Sequence, residues 1–326
     1  MGSFGARRLR FVTLLAGIGV VLAVLFGART ARAEPVKVTT GMWVNQIHEL
    51  NLKENNFVVD LYVWFRWKGE LKPHETWSFI DGRIESKTES SSKTFPDGSR
   101  YVCQRVIVKV TRFFDVSRYP LDGHTLSMTV EEDEGEDHLV QYVADVENSG
   151  IDPRVTMPGW TLGVKDAVAG VGQYKSNFGD VSVPAGKETR YGRMTLRLDL
   201  TRSGATYFVK VFFGVWVAAS IAFLCFFIKP TNVDPRFGLG VGAIFAAIAS
   251  EYTISSSLPE GGVATLADQV HLVAYLAIFV TLAQSTASLW LVEHGKEATS
   301  KRFDKLFAIL LPFVYALSNV IVVARR

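Results

Sequence analysis

One stretch of membrane-helix length, Asp234–Pro259, constrains this chain most because its composition is unsuited to a lipid-facing helix. Roughly 20 apolar residues cross a bilayer as a helix, but this stretch carries three glycines, several serines and threonines, and the acid Glu251. Each glycine costs a helix about 1 kcal/mol relative to alanine, so the glycines need a structural reason. Close helix packing is one reason, and a water-filled path is another.

A helical wheel places the special residues of this stretch on one stripe, at steps of three and four residues. The stripe is small at one end, aromatic in the middle and polar at the other end, and comprises Gly238, Gly242, Phe245, Ala249, Tyr252 and Ser256. A single stripe cannot enclose a pore, so a pore would require several copies of the chain. The alternative is a packed helix within a four-helix bundle.

Composition excludes several classes of function. The chain has 326 residues, enough for two domains, and a net charge of only +3, so nothing indicates nucleic-acid binding. The two cysteines, Cys103 and Cys225, fall in different predicted elements, and no metal-ligand spacing is present. No hydrolase or nucleotide-binding motif occurs, and the histidines show no triad spacing, so we expect that the protein is not an enzyme.

The first 33 residues have the pattern of a secretory signal peptide. A basic start precedes the apolar run Phe11–Gly27, and Ala31-Arg32-Ala33 is a small-residue cleavage site. Cleavage would place the mature N-terminus near Glu34, outside the cytoplasm. The alternative is a retained anchor helix.

Residues 34–202 alternate between apolar and polar positions with a period of two. Phe57–Trp67 and Arg193–Thr201 show the pattern most clearly, and turn signals such as Pro96-Asp97-Gly98 separate the runs. Half-buried strands with such turns predict an extracellular, immunoglobulin-like β-sandwich of about ten strands.

Residues 203–326 predict a transmembrane domain of four helices, at about 207–228, 236–257, 266–292 and 303–324. Four crossings would return the C-terminus to the side of the sandwich. Basic residues lie in or beside both turns on the opposite side, namely Lys229, Arg236, Lys296, Lys301, Arg302 and Lys305. This bias is typical of cytoplasmic turns.

A β-sandwich followed by four such helices resembles the pentameric ligand-gated ion channels of the Cys-loop receptor superfamily. The most specific segment is Arg112–Leu126, RFFDVSRYPLDGHTL, in which Tyr119-Pro120-Leu121-Asp122 matches the aromatic-Pro-aromatic-Asp core of the family loop. Arg112 and Leu126 replace the two cysteines of that loop, so the chain resembles a prokaryotic member without the disulfide.

Three spacings agree with this resemblance, which covers about residues 40–326. Tyr191 lies eleven residues before Arg202, and Tyr62 lies five before Trp67. Pro230 and Pro259 correspond to the prolines that bracket the pore helix. The proline usual within the first crossing is absent, so this chain departs from the family pattern at the position of that helix kink.

The resemblance assigns Asp234, Gly238, Gly242, Phe245, Ala249, Tyr252 and Ser256 to the pore lining. Five Phe245 rings would form a hydrophobic constriction, and a ring of Asp234 carboxylates would favour cations. The alternative for Phe245 is simple packing. The family's cation channels usually carry glutamate where Pro235 stands, and this chain departs from the family pattern there.

The resemblance also implies a ligand site between neighbouring sandwiches. Its aromatic candidates are Tyr62, Trp77, Tyr174, Phe178 and Tyr191, with Arg105 on the opposing strand. Aromatic faces attract cationic ligands. The acidic run 131–137 falls where the family has a binding loop, so Glu131 and Asp133 could contact an amine, or Glu131, Glu132 and Asp133 could bind Ca²⁺ as a modulator. The alternative is a solvated loop.

Two further groups of residues are expected to act in gating. Signal transmission to the pore would pass through Arg202, Asp122 and Glu54, with Tyr119 and Pro120 pressing on the loop that starts at Pro259. Glu251, an acid within a membrane helix, would pair with His271 and sense protons. The alternative for Glu251 is a hydrated acid near the outer mouth.

The sequence thus predicts a homopentameric ligand-gated ion channel in a bacterial inner membrane, with its N-terminal domain and C-terminus in the periplasm. It would be cation-selective, open in response to an amine, a proton or a divalent cation, and contact four identical subunits, lipid, small ions and a small-molecule ligand, but no nucleic acid. The alternative is a non-conducting periplasmic sensor that signals through a partner.

Overall fold

The computed structural model describes residues 34–181, 183–184 and 186–325. The predicted signal peptide, residues 1–33, lies outside the described residues. From Val36 onward the chain forms a β-sandwich and then a bundle of long apolar helices.

Two sheets build the sandwich. The first sheet has the strand order β4-β5-β2-β1-β7, with β8 pairing to β1. Its strands are β1 (Val36–Asn51), β2 (Asn56–Lys68), β4 (Gly82–Thr94), β5 (Ser99–Thr111), β7 (Val140–Ala144) and β8 (Gly150–Ile151). The second sheet has the order β3-β6-β10-β9. Its strands are β3 (Trp77–Phe79), β6 (Gly123–Glu136), β9 (Trp160–Tyr174) and β10 (Thr189–Arg202).

The core lies between the two sheets and follows the two-residue period of the sequence. Alternate residues of β2, including Phe57, Leu61 and Phe65, are completely buried. They pack in one cluster with Leu196 and Leu198 of β10. Successive side chains of a strand point to opposite faces, so one apolar set per strand is sufficient for this core. The predicted ten-stranded sandwich is confirmed.

In the described part of the chain, four helices are long and apolar enough to cross a membrane. They are α1 (Ala205–Phe223), continued by a 3₁₀ turn at Leu224–Phe227, then α2 (Val233–Ser255), α3 (Leu266–Glu293) and α4 (Glu297–Ala324). Helix α4 begins six residues before the predicted position 303, because the charged segment is itself helical, with Glu297 and Lys301 one turn apart. Helix α2 begins at Val233 because Asp234 and Pro235 suit the first turn of a helix.

Helix α2 packs against its own bundle through small residues. Ala243 and Ala247 are buried, and a Cβ atom on Gly240 would collide with the Leu282 side chain of α3. Gly238 and Gly242, in contrast, face open space. Close packing therefore explains one glycine of this helix, and the other two need a different reason.

The sandwich and the helices meet at the loop Arg112–Asp122. Val116 and Tyr119 of that loop belong to the same buried cluster as Leu258, Leu266 and other membrane-domain residues. The backbone amide of Leu266, the first residue of α3, donates a hydrogen bond of 2.9 Å to the carbonyl of Ser117. Motion of this loop is therefore connected to the start of α3 by a main-chain bond.

Candidate functional site

The aromatic and small stripe of α2 is turned away from the bundle of its own chain. Phe245 is 67% exposed and Tyr252 is 75% exposed. The remaining stripe residues, Asp234, Gly238, Gly242, Ala249 and Ser256, are also exposed. Large apolar side chains on one helix face normally have a packing partner, so this face is available to other copies of the chain or to lipid.

Arg236 lies next to this stripe but is fully buried on the opposite face of α2. Its guanidinium makes a bidentate ion pair with Asp304 of α4, at 2.7 and 3.0 Å. It also donates to Gln284 (3.3 Å) and Ser285 (3.2 Å) of α3 and to the Ile228 carbonyl (2.8 Å). All five N–H donors of the side chain are thereby used.

This network determines which charged group is exposed at the N-terminal end of α2. The positive charge of Arg236 is neutralised by Asp304 inside the bundle, whereas the Asp234 carboxylate remains exposed. Sequence reasoning missed Asp304, because the pair joins residues 68 positions apart. The one available signal was an acid within an otherwise apolar membrane helix, where acids need a partner.

The expected pairing of Glu251 with His271 is wrong. Glu251 is half-buried and accepts a hydrogen bond from the Tyr275 hydroxyl of α3. His271 is fully buried and contacts the Ala267 carbonyl (2.8 Å) and the Ser250 hydroxyl (3.2 Å). The two side chains project from neighbouring helices, but each forms its hydrogen bond with a different residue of the other helix. A proton-sensing role for either residue stays a prediction.

Arg202, the last residue of β10, lies at the centre of the predicted coupling group. It makes a bidentate ion pair with Asp122, at 2.7 and 3.0 Å, and both side chains are nearly inaccessible. Three aromatic rings surround its guanidinium carbon, with centroids at 4.0 Å (Trp160), 4.7 Å (Tyr207) and 4.9 Å (Tyr119). The cation is thus held by both charge and ring faces.

Asp122 has a second partner that the sequence analysis did not find. His124 of β6, two residues after Asp122, contacts the Asp122 carboxylate at 2.8 Å. Burial would raise the pKa of Asp122, but the hydrogen bonds from His124 and Arg202 outweigh burial and lower it to about 2. The carboxylate is therefore ionised at any physiological pH. The two-residue spacing from Asp122 was a signal that could have identified His124, whereas Trp160 and Tyr207 come from distant segments.

Glu54 does not join this group, which corrects the sequence analysis. Its side chain is exposed and accepts a hydrogen bond from Asn56 at 3.4 Å. A cavity of about 430 Å³ is lined by Arg202 and by residues 49–53, which comprise the end of β1 and the start of the following loop. Tyr119 does reach the helices, and its hydroxyl lies 2.7 Å from that of Tyr207 on α1. Pro120 is buried beside it.

Three of the predicted ligand-site aromatics form one cluster where β9 and β10 of the second sheet are connected. The ring centroids of Tyr174 and Phe178 are 5.3 Å apart, and Tyr191 lies 6.0 Å from Tyr174 and 6.5 Å from Phe178. Tyr174 and Tyr191 are half-buried, and Phe178 is exposed. This part of the predicted site is therefore assembled within one chain.

Arg193 already contacts this aromatic cluster. Its guanidinium carbon lies 5.4 Å from the Tyr174 ring centroid and it donates to the Tyr174 hydroxyl at 2.7 Å. It also forms an ion pair with Glu131, which accepts a hydrogen bond of 2.6 Å from Tyr174. Gly172 makes this possible, because a Cβ atom there would collide with both Glu131 and Arg193. Arg193 was missed, although it follows Tyr191 on the same strand face.

Tyr62 and Arg105 lie on the other sheet and face each other across β2 and β5. The guanidinium carbon of Arg105 is 5.8 Å from the Tyr62 ring centroid. The Nε of Arg105 donates to the Asp60 carboxylate at 3.0 Å, and this hydrogen bond lowers the pKa of Asp60. The predicted ligand residues therefore form two separate groups, one on each sheet.

Trp77 belongs to neither group, and its assignment to the ligand site is wrong. It is only 4% exposed and lies in the sandwich core, 5.5 Å from the rings of Phe65 and Phe79. Its indole donates to Gln104 at 2.9 Å. The three-residue strand β3 turns this side chain inward, so no ligand reaches its face.

The acidic run 131–137 is not a solvated loop, because most of it continues strand β6. Glu131 bonds to Tyr174 and Arg193, Glu132 bonds to Tyr142 at 3.2 Å, and Asp133 bonds to Ser78 at 2.7 Å. Successive side chains of a strand diverge, so the three carboxylates do not converge. No cluster among the described residues could hold a metal ion, and the expected Ca²⁺ site is therefore wrong.

No model of a known protein family matches the chain. Individual proteins do. The chain is 21% identical over 310 residues to a proton-gated ion channel of Gloeobacter violaceus, covering 88% of this chain and 82% of that protein. It is 20% identical to the human gamma-aminobutyric acid receptor subunit rho-2, over 83% of this chain and 63% of that subunit.

A third relative comes from Caenorhabditis elegans. The acetylcholine-gated chloride channel subunit acc-2 is 21% identical, and the match covers 85% of this chain and 66% of that subunit. The chain therefore spans about two thirds of the length of the animal receptor subunits. All three matches run through both the sandwich and the helices.

Proposed function

Because this chain is a member of the pentameric ligand-gated ion channel (Cys-loop receptor) superfamily, we propose that five copies form a cation channel around the exposed stripe of α2. The observation that carries this proposal is the orientation of that helix. Gly240, Ala243, Ala247 and Arg236 face its own bundle, while Phe245 and Tyr252 have no covering partner among the described residues. Five such stripes around one axis would line a continuous path.

Within that path, Phe245 forms the gate. Five phenylalanine rings at mid-membrane make an apolar constriction that excludes water and therefore ions. Gly238 and Gly242 carry no side chain and face open space, so the half of the pore toward Asp234 is wide. A gate at this level leaves that half accessible to cytoplasmic solution in the closed state.

Cation selectivity arises at the mouth formed by residue 234. Five exposed Asp234 carboxylates concentrate cations there. The neighbouring Arg236 does not oppose them, because Asp304 neutralises it inside the bundle. The matched proteins include a chloride channel subunit, and the reversal potential described below distinguishes the two signs of ion.

The ligand acts on the β-sandwich. Tyr174, Phe178 and Tyr191 of one subunit face the Tyr62–Arg105 pair of the next, and an amine bound there competes with Arg193 for the Tyr174 ring. Ligand-induced displacement of β10 then reaches Arg202, at the end of that strand, and the bond between Ser117 and Leu266 at the start of α3.

Protons are a second candidate stimulus, and Glu132 is the observation that favours them. Its carboxylate is buried, bonds to Tyr142, and has no cationic partner among the described residues. Burial raises its pKa above the ordinary value, so it takes up a proton as the pH falls. A Glu132→Gln channel that keeps the wild-type pH response of its current excludes this residue as the sensor.

The protein lies in a bacterial inner membrane with the sandwich in the periplasm. Lys229, Lys296, Lys301, Arg302 and Lys305 are exposed at the end of the helices that faces the cytoplasm in this orientation. Only residues 294–296 connect α3 to α4 there. Such a short connection offers a signalling partner little surface, which disfavours a non-conducting sensor.

Current through purified protein in a planar bilayer tests the proposal. In asymmetric KCl, wild-type currents are expected to reverse near the K⁺ equilibrium potential, and Asp234→Asn is expected to move that potential toward zero. Phe245→Ala should conduct without stimulus. Glu297→Gln, which removes an exposed acid from α4, serves as a control and should keep the wild-type reversal potential. Absence of any current from a pentameric sample at all stimuli would exclude the channel and favour the sensor.

A further inference from the structure

A cavity of about 480 Å³ opens on the outer face of the first sheet, apart from the aromatic cluster of the second sheet. Its volume is within the range of small-molecule sites. Strands β2, β5 and the end of β4 form its floor, and the loop after β7 forms one side. Neither Tyr62 nor Arg105 lines it, so it is a separate feature from the ligand site proposed above.

The strand register places two cations on either side of a tyrosine at the floor of this cavity. Tyr101 of β5 lies opposite Arg66 of β2 and also opposite Lys93 of β4. Neighbouring strands are about 4.8 Å apart, so the backbones of Arg66 and Lys93 are roughly 10 Å apart. That separation allows both flexible side chains to reach one small group above the Tyr101 ring.

The cavity has a surplus of positive charge. Within the described part of the chain, neither Arg66 nor Lys93 has an ion-pair partner. The one acid that lines the cavity, Asp145, accepts hydrogen bonds from the Trp64 indole (3.0 Å) and from Asn148 (2.7 Å). The hydrogen bonds of this carboxylate are thus made to residues that line the cavity. The side chains of Arg66 and Lys93 remain available to an anion.

Aromatic rings form the rest of the lining. The Trp64 ring lies directly over Gly41 of β1, where a Cβ atom would collide with it, so this wall is fixed by close packing. Phe95, at the end of the β4–β5 hairpin, is 41% exposed although it is a large apolar side chain. Burial raises the pKa of Tyr101 to about 12, so its hydroxyl stays protonated and adds no negative charge to the cavity.

We propose that this cavity binds a small aromatic carboxylate, with the carboxylate between Arg66 and Lys93 and the ring against Phe95, Tyr101 and Trp64. Arginine and lysine recognise carboxylates by charge-assisted hydrogen bonds. A cationic ligand of the same shape is repelled by the two side chains. Binding at this site goes beyond the proposed gating site and does not require that the channel conduct.

Calorimetric titration of the purified full-length protein tests the inference with four probes. Benzoate and 2-naphthoate carry both features, benzylamine reverses the charge on the same ring, and acetate lacks the ring. Heat of binding is expected with the two aromatic carboxylates and not with benzylamine or acetate. Arg66→Gln and Lys93→Gln should each weaken benzoate binding at least tenfold.

Lys68→Gln is the matched control, because Lys68 lies on the same strand face but pairs with Asp97 outside the cavity. It should bind benzoate like the wild type. Arg66 and Lys93 are exposed, so all three variants should keep the wild-type thermal midpoint. The inference is wrong if neither carboxylate binds, if benzylamine or acetate binds as well as benzoate, or if the Arg66 and Lys93 variants bind like the control.

Discussion

Arg236 and Asp304 form a bidentate ion pair inside the helical bundle, with distances of 2.7 and 3.0 Å, and thereby join the pore-side helix α2 to the C-terminal helix α4. A buried pair of this kind contributes little by itself, but loss of one partner leaves an uncompensated charge and costs about 3–5 kcal/mol. Helix α4 is therefore tied electrostatically to the mouth of the proposed pore.

We expect Asp304→Asn to lower the thermal midpoint of the purified protein and to reduce the yield of assembled protein, because Arg236 then stays buried without a counter-charge. Glu297→Gln on the same helix removes an acid from an exposed pair with Lys301, at 3.9 Å. Exposed pairs contribute about 0–1 kcal/mol, so this variant is the control. Equal midpoints for the two variants would show that the buried pair is unimportant.

Replacement of Arg202 by alanine should abolish gating or assembly. It leaves the buried Asp122 carboxylate with His124 alone and empties the space between three aromatic rings. Arg202→Lys keeps the charge but loses the bidentate geometry, so we expect assembled channels with reduced currents. Arg154→Ala breaks an exposed pair with Asp152 and should behave like wild type. Normal currents from Arg202→Ala would remove this residue from the coupling path.

The pKa of Asp122 makes a prediction about acid stability. Its pKa is about 2 in the folded protein, against an ordinary value of 3.8. A lowered pKa means that the ionised carboxylate stabilises the fold above about pH 4, by roughly 2 kcal/mol, and that this contribution is lost between about pH 4 and pH 2. The difference in thermal midpoint between wild type and Asp122→Asn should therefore be constant above pH 5 and shrink below pH 4.

Gly172 provides a test of the aromatic cluster on the second sheet. Gly172→Ala should separate Glu131 from Arg193, because the added methyl group occupies the position of their contact. Loss of a buried charged hydrogen bond costs about 1–3 kcal/mol, so a lower thermal midpoint and an altered ligand response are expected. Gly170→Ala, two residues earlier on β9, meets no atom within 4 Å. Equal thermal midpoints and equal ligand responses of the two variants would show that the Glu131–Arg193 pair does not hold the aromatic cluster in place.

The sequence predicted well wherever a local period decides the structure. Alternation with a period of two located the strands, and the helical stripe on α2 located the exposed face that includes Phe245 and Tyr252. Arg193 and His124 could also have been predicted, since each follows a predicted site residue, Tyr191 or Asp122, by two positions.

Contacts between residues from distant segments could not be predicted from the sequence. Trp160 and Tyr207 surround Arg202, and Asp304 neutralises Arg236, only because the tertiary fold brings their elements together. Glu131 and Glu132 show the same limit, because an acidic run suggests a hydrated loop until the register of β6 buries both side chains. Trp77 was assigned to the ligand site by its position in the family resemblance, and its three-residue strand is too short for a period that would have revealed its burial.

The hydrogen bond between the Leu266 amide and the Ser117 carbonyl has a consequence for how this joint can be studied. Neither side chain takes part, so alanine scanning passes over it and any residue with an N–H preserves it. An amide-to-ester exchange at position 266 removes the donor and leaves every side chain unchanged. One of the links between the two domains thus resides in the polypeptide backbone, where only a change to proline would remove it.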